Sequence, residues 1–258
     1  MIAFIAAILR WMVVLGALSG SATVTPASSD FPPTDFKLLS ADGSVVIGRA
    51  HFKMTRRSGG RALVQGKYQY TNGEYDIDED WLETRADAHL PTLLSYRHVF
   101  FHADGSLDRV NQADLKSGQA SCSIYVNGEA KTLNAQLTFS ADTYAGPAVT
   151  LPIRNFIRRG STESAEFRDF SCAPGPKIYL VNASIERSAQ WALYPGKLVQ
   201  VDLKPDFGLL DILVAPFLPK IRLWFDPSKD FELVGVESSR YYRGLNFIMV
   251  RELAARRQ

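Results

Sequence analysis

The sequence KYQYTNGEYDIDEDW, residues 67–81, holds a complete hairpin in one line. Asn72-Gly73 supplies the two positive-φ positions of a tight two-residue turn. Lys67–Tyr70 and Glu74–Trp81 flank it as strand-like runs. Side chains alternate between the two faces of a strand. Glu74, Asp76, Asp78 and Asp80 therefore share one face, with Tyr75, Ile77 and Trp81 on the other. Read as a strand at the margin of a sheet, the acidic face is expected in water. Asp76-x-Asp78-x-Asp80 also matches the start of a calcium loop, but Trp81 stands where such a loop needs Gly and Asp87 where it needs Glu.

The same turn chemistry recurs outward from this hairpin. Ala41-Asp42-Gly43-Ser44 leads into Val45–Met54, and Ala103-Asp104-Gly105-Ser106 joins Leu94–His102 to Leu107–Val110. Asn127-Gly128 joins Ser121–Val126 to Lys131–Phe139. Runs of this kind between turn clusters predict an antiparallel meander. Ser140–Gly160 interrupts it. Pro152 suits a first helical turn, Ile153, Phe156 and Ile157 form an apolar stripe, and Arg154, Arg158 and Arg159 a polar one. Strand signals resume at Ala165–Cys172, Lys177–Ile185, Leu198–Leu203, Ile221–Phe225, Phe231–Val236 and Leu245–Val250. A sheet of about ten or more strands must curl or split. The expected fold is mainly β: a single large curved antiparallel sheet, half-barrel or barrel-like, with one or two short helices on its concave side.

The second helix is expected in Phe207–Pro219, FGLLDILVAPFLP, the longest nearly uninterrupted apolar run beyond the N-terminus. Asp206 suits an N-cap, and Pro216 disfavours helical geometry at Ala215. The run is too short to cross a bilayer, which takes ~20 residues. Two readings stay open: a plug in the core, or a lid over a hydrophobic cavity. Leu209, Leu213 and Phe217, with Phe156 of the first helix, are the candidate contacts for a hydrophobic ligand.

Composition sets wider bounds. The 258 residues are 46% hydrophobic and 22% charged, with a net charge of +2. Basic blocks, zinc-finger spacing and aromatic–basic interleaving are missing, so nucleic acid is not an expected partner. Met1–Gly20 is apolar apart from Arg10 and runs into Ser19, Gly20, Ser21 and Ala22, the pattern of a cleaved signal peptide. The expected layout is a signal peptide over residues 1–22, a flexible leader over 23–36, one β-rich domain over 37–253, and a tail over 254–258. Export to the periplasm or beyond follows. An oxidising compartment allows Cys122 and Cys172 to pair; two separate buried thiols are the alternative.

Catalytic motifs are scarce. His98 and His102 cannot share a metal ion if Tyr96–His102 is a strand, where residues four apart lie ~13 Å from each other. His102 and Asp104 leave room for a dispersed hydrolytic site completed by distant residues. The sequence has no nucleophile elbow and no phosphate loop, and no motif implies a cofactor or metal.

The order of segments resembles exported bacterial domains of unknown function with a half-barrel similar to that of periplasmic lipoprotein carriers. Phe139-Ser140-Ala141-Asp142-Thr143-Tyr144 followed by Leu151–Arg159 occupies the middle position of that layout. Ile221–Asp226 with Phe231–Val236 looks like its closing hairpin. The resemblance spans most of Phe36–Leu253 and implies a sheet curved around a helix, with an apolar concave face. The expected function is an exported, non-enzymatic envelope protein that binds a lipid or other hydrophobic molecule. A solid-cored scaffold that contacts an envelope protein through its acidic face is the other reading, and a hydrolase around His102 and Asp104 the third.

Overall fold

The computed structural model describes residues 33–84, 90–160, 164–172, 174–206, 221–240 and 244–253. The expected signal peptide and the Phe207–Pro219 run, with Leu209, Leu213 and Phe217, lie outside the described residues.

The chain opens as a meander of eight strands. These are β1 (Thr34–Ser40), β2 (Val46–Arg56), β3 (Arg61–Tyr70), β4 (Tyr75–Glu83), β5 (Thr92–Phe101), β6 (Leu107–Asp114), β7 (Gln119–Val126) and β8 (Glu129–Gln136). Each of the four turns predicted above joins successive strands, because Asp/Gly and Asn-Gly chemistry is local, although at Asn72-Gly73 it is Gly73 alone that takes a positive φ. A two-residue strand β9 (Thr143–Tyr144), a 310 turn at Gly146–Val149 and helix α1 (Thr150–Arg159) follow. The chain then returns through β10 (Ser164–Cys172), β11 (Pro176–Trp191), β12 (Tyr194–Pro205), β13 (Ile221–Asp226), β14 (Glu232–Ser239) and β15 (Asn246–Arg251).

All fifteen strands belong to one sheet, in the order β8-β7-β6-β5-β4-β3-β2-β1-β15-β14-β13-β12-β11-β10-β9. Every neighbouring pair is antiparallel except β9 and β10. The first and last strands meet at the centre, with Leu38 opposite Met249. The sheet stays open but rolls until its ends face each other: β7 and β8 approach β11, and β9 approaches β5. Cys122 of β7 and Cys172 of β10 form a disulfide across that gap, with a Cα–Cα distance of 5.7 Å. The β1 strand begins at Thr34, so the last residues assigned to a flexible leader are already in the sheet.

The rolled sheet buries its core on the concave side. Ile153 and Ile157 of α1 pack there with Leu82, Leu93, Phe167, Phe170, Val201 and Phe225. The arginine stripe of α1 is not simply solvated: Arg154 and Arg158 both pair with Asp230, tying the helix to the β13–β14 turn. A smaller cluster covers the convex side, where the extended β11–β12 hairpin folds Trp191 against Trp224, rings stacked 5.0 Å apart. Gly235 makes this possible, since a Cβ there would lie 2.2 Å from the Trp191 ring.

Candidate ligand cavity

The β4 strand lies between β3 and β5, in the interior of the sheet, and its acidic face points inward. This corrects the expectation of a solvated margin: Asp76, Asp78 and Asp80 are 1%, 2% and 0% exposed. Leu82 continues the same face into the main core. Tyr75, Ile77 and Trp81 occupy the outer face, where Tyr75 stacks on Phe101 at 4.4 Å.

Three inward residues of β5 stand opposite the aspartates, in the pairs Asp80–Tyr96, Asp78–His98 and Asp76–Phe100. Each aspartate meets a different partner. Asp76 accepts a hydrogen bond from the Tyr70 hydroxyl at 3.0 Å and from Arg240 Nε at 3.1 Å. Arg240 also pairs with Glu74 and lies over the Tyr70 ring, 4.4 Å from its centre. Burial pushes the Asp76 carboxyl up, and the Arg240 bonds pull against that. Against its own burial, the bonds to Asp76 hold the Arg240 guanidinium above its ordinary range.

Asp80 accepts the Ala148 amide at 2.9 Å, so the 310 turn leading into α1 is anchored on a buried carboxyl. Asp78 sits beside His98, Oδ2 3.2 Å from Nδ1. Asp78 Oδ1, Asp80 Oδ1 and His98 Nε2 are buried without a hydrogen-bond partner among the described residues. Burial, and then the neighbouring Asp80 and Asp76 charges, push Asp78 well up; burial does the same for Asp80. Burial, and then Arg240, push His98 down to about 3, so its imidazole is neutral near pH 7. Across the roll, Asp169 of β10 is half-buried, and its partial loss of water pushes it up to about 7.

Gly146 closes down on this cluster at φ +49, where a Cβ would lie 2.9 Å from both Asp78 oxygens and 3.0 Å from the Tyr96 ring. Backbone strain of this kind costs ~1–3 kcal/mol. Gly146→Ala is expected to lower stability by about that amount in urea titration; an unchanged midpoint would place the turn away from Asp78.

Beside the cluster lies a cavity of about 300 Å3, lined by Asp76, Asp78, His98, Asp169 and Arg240 at its polar part. Apolar wall comes from both halves of the sheet, including Phe36, Phe52, Phe167, Val181, Leu223 and Val236. The size is at the small end of ligand sites, which run ~300–1,000 Å3. Pro205 and Ile221, on either side of the undescribed residues 207–220, also line it. Phe156 does not face this space: it is half-buried against the main core, and the turn before α1 contributes Gly146, Pro147, Val149 and Thr150 instead. His102 and Asp104 are exposed on the β5–β6 turn, where Asp104 accepts bonds from the Ser106 amide and hydroxyl at 2.9 and 2.6 Å. Among the described residues, no group of three or more His, Cys, Asp or Glu is arranged to hold a metal ion. No helix among them is long and apolar enough to cross a membrane.

Sequence reasoning placed three of these aspartates on one strand face but missed His98, Asp169 and Arg240 as their company. One signal was available: Leu82 shares the aspartates' face, and strand signals stand on both sides of β4. For Arg240, 164 positions from Asp76, no local signal exists.

The buried carboxyls have a consequence for pH. A carboxyl whose folded pKa is raised contributes stability at acidic pH that is lost as pH rises through the folded value. For Asp169 that window runs from its ordinary 3.8 to about 7. The directions at Asp76, Asp78 and Asp80 act the same way. His98 opposes them below its ordinary 6.5, because it folds neutral. Four raised carboxyls outweigh one imidazole, so the melting temperature is expected to fall from about pH 5 to about pH 8. Asp169→Asn should remove the part lost below about pH 7. A melting temperature that rises over this interval would contradict the buried placement.

No protein-family model, curated protein or solved structure matches the chain.

Proposed function

We propose that this protein binds a small, mainly apolar molecule inside its rolled sheet, and that it works in an oxidising compartment outside the cytosol. The cavity of about 300 Å3 carries the first part: apolar walls with a few convergent polar groups are what a small-molecule site requires. The Cys122–Cys172 disulfide supports the second, since structural disulfides persist where thiols are not kept reduced. The apolar Met1–Gly20 segment points to the same compartment. Binding is the role that this mainly apolar lining favours.

The test is uptake of Nile red, a neutral hydrophobic dye, together with native mass spectrometry of gently purified protein. Dye uptake by the wild type is expected, and its loss in Val236→Phe, a half-buried position where the larger ring projects into the cavity. Val236→Phe should keep a cooperative melt. A wild type that takes up no dye and retains no small molecule would overturn the reading.

A further inference from the structure

The polar part of the cavity is unbalanced in charge, and this limits what ligand it can accept. Among the described residues, four carboxyls line the space: Asp76, Asp78, Asp169 and Glu232. Three cations do so too, but two are engaged. Arg240 is held by Asp76 and Glu74, and Arg251 pairs with Glu232. Lys53, the third, is exposed at the surface of β2. His98 is uncharged near neutral pH because it is buried. Among the described residues, that leaves Asp78 and Asp169 facing the space from opposite walls with no cation paired to them. Asp80 adds a further buried acid behind Asp78.

Asp78 is the decisive group. Its side chain is 2% exposed, it lines the cavity, and its Oδ1 has no hydrogen-bond partner. A buried acceptor left unpaired costs free energy that a donor on a ligand would recover. An anionic head, such as a fatty-acid carboxylate, would instead gain no ion pair: desolvation holds Asp78 and Asp169 toward their protonated forms, and the nearest guanidinium is already engaged. A protonated amine would find carboxylate acceptors and, in the same lining, the aromatic side chains of Tyr68 and Phe52, a residue type that suits a desolvated cation.

We propose that the cavity selects a lipophilic monocation, a protonated amine on a compact apolar body, with its ammonium donating to Asp78 and facing Asp169. This rests on the binding role proposed above and names the ligand class for the same cavity. The size allows one or two rings or a medium alkyl chain, being about twice the ~150 Å3 of an engineered cavity that accepts benzene. When the ammonium arrives, the carboxyl proton of Asp78 leaves to solvent, and a charge pair replaces the orphaned acceptor.

Displacement of Nile red from the full chain near neutral pH by octylamine, 1-octanol and octanoate tests this. The three probes share one apolar body and differ only in the head. Octylamine is expected to displace dye at least about tenfold more effectively than 1-octanol, the advantage of a charged over a neutral hydrogen bond. Octanoate should be the weakest of the three. In Asp78→Asn, and separately in Asp169→Asn, the ratio of amine to alcohol should fall toward unity. The two variants address the same head from opposite walls, so poor folding of one does not leave the outcome open. Equal displacement by amine and alcohol, or octanoate as the strongest, would overturn the cation assignment while leaving the cavity a binding site. Failure of all three, in a wild type that takes up no Nile red, would overturn the binding role itself.

Discussion

Arg240→Met is expected to lower stability by ~3–5 kcal/mol near pH 8, the cost of leaving one member of a buried ion pair without the other. The side chains of Arg240 and Asp76 are 8% and 2% exposed, so water cannot replace the lost guanidinium. The variant has a pH signature. Asp76 has a carboxyl that burial already pushes up, and without Arg240 nothing comparable restrains it from protonating. The penalty should therefore shrink as pH is lowered toward about 5, where the neutral acid is the less costly buried form. Combining Arg240→Met with Asp76→Asn should recover most of the loss, since replacing both members of a buried pair is often close to neutral. Urea titrations of the three proteins at the two pH values would check this. A single variant as stable as the wild type near pH 8 would mean that water reaches Asp76, and that the acidic face of β4 is not buried as described.

The second large effect concerns the closure of the roll. Cys122 and Cys172 are separated by 50 positions in sequence and join β7 to β10, near opposite ends of the strand order. A cross-link over a loop of that length stabilises by up to ~4 kcal/mol on the chain-entropy account. Replacing both cysteines with serine is expected to cost ~2–4 kcal/mol. A reductant should lower the wild-type melting temperature to that of the double variant and leave the variant itself unaffected. The β7 and β8 strands approach β11 with no ladder of hydrogen bonds between them. The two ends should accordingly separate before the central strands do. Hydrogen exchange in the reduced protein should show faster exchange in β8 and β9 than in β1 and β15. Uniform exchange throughout the sheet would show that the disulfide does not hold the roll together.

Both effects depend on residues that only the folded chain unites, and this marks the division between local and non-local information. Turn chemistry was legible in the sequence. Asp42-Gly43, Asn72-Gly73, Asp104-Gly105 and Asn127-Gly128 each determine a reversal with the residues at hand, and the meander from β1 to β8 follows. The amphipathic stripe of α1 was legible for the same reason, since Ile153 and Ile157 share a face one turn apart. A period of two also determined that Asp76, Asp78 and Asp80 stand together.

Alternation names two faces, however, and does not say which of them curves inward. The outer face of β4 carries Tyr75, Ile77 and Trp81, so apolar character alone points the wrong way. The tertiary structure decides the matter because partners reach the aspartates from far along the chain: Arg240 at Asp76, the Ala148 amide at Asp80, and the His98 ring at Asp78. Burying such groups is tolerable only where those partners, or protonation, offset the loss of water. The sequence by itself determined a large curved sheet around a helix. That its concave side holds acids beside an apolar cavity was decided by the roll that brings β4, β10 and β14 together, a contact set no local pattern encodes.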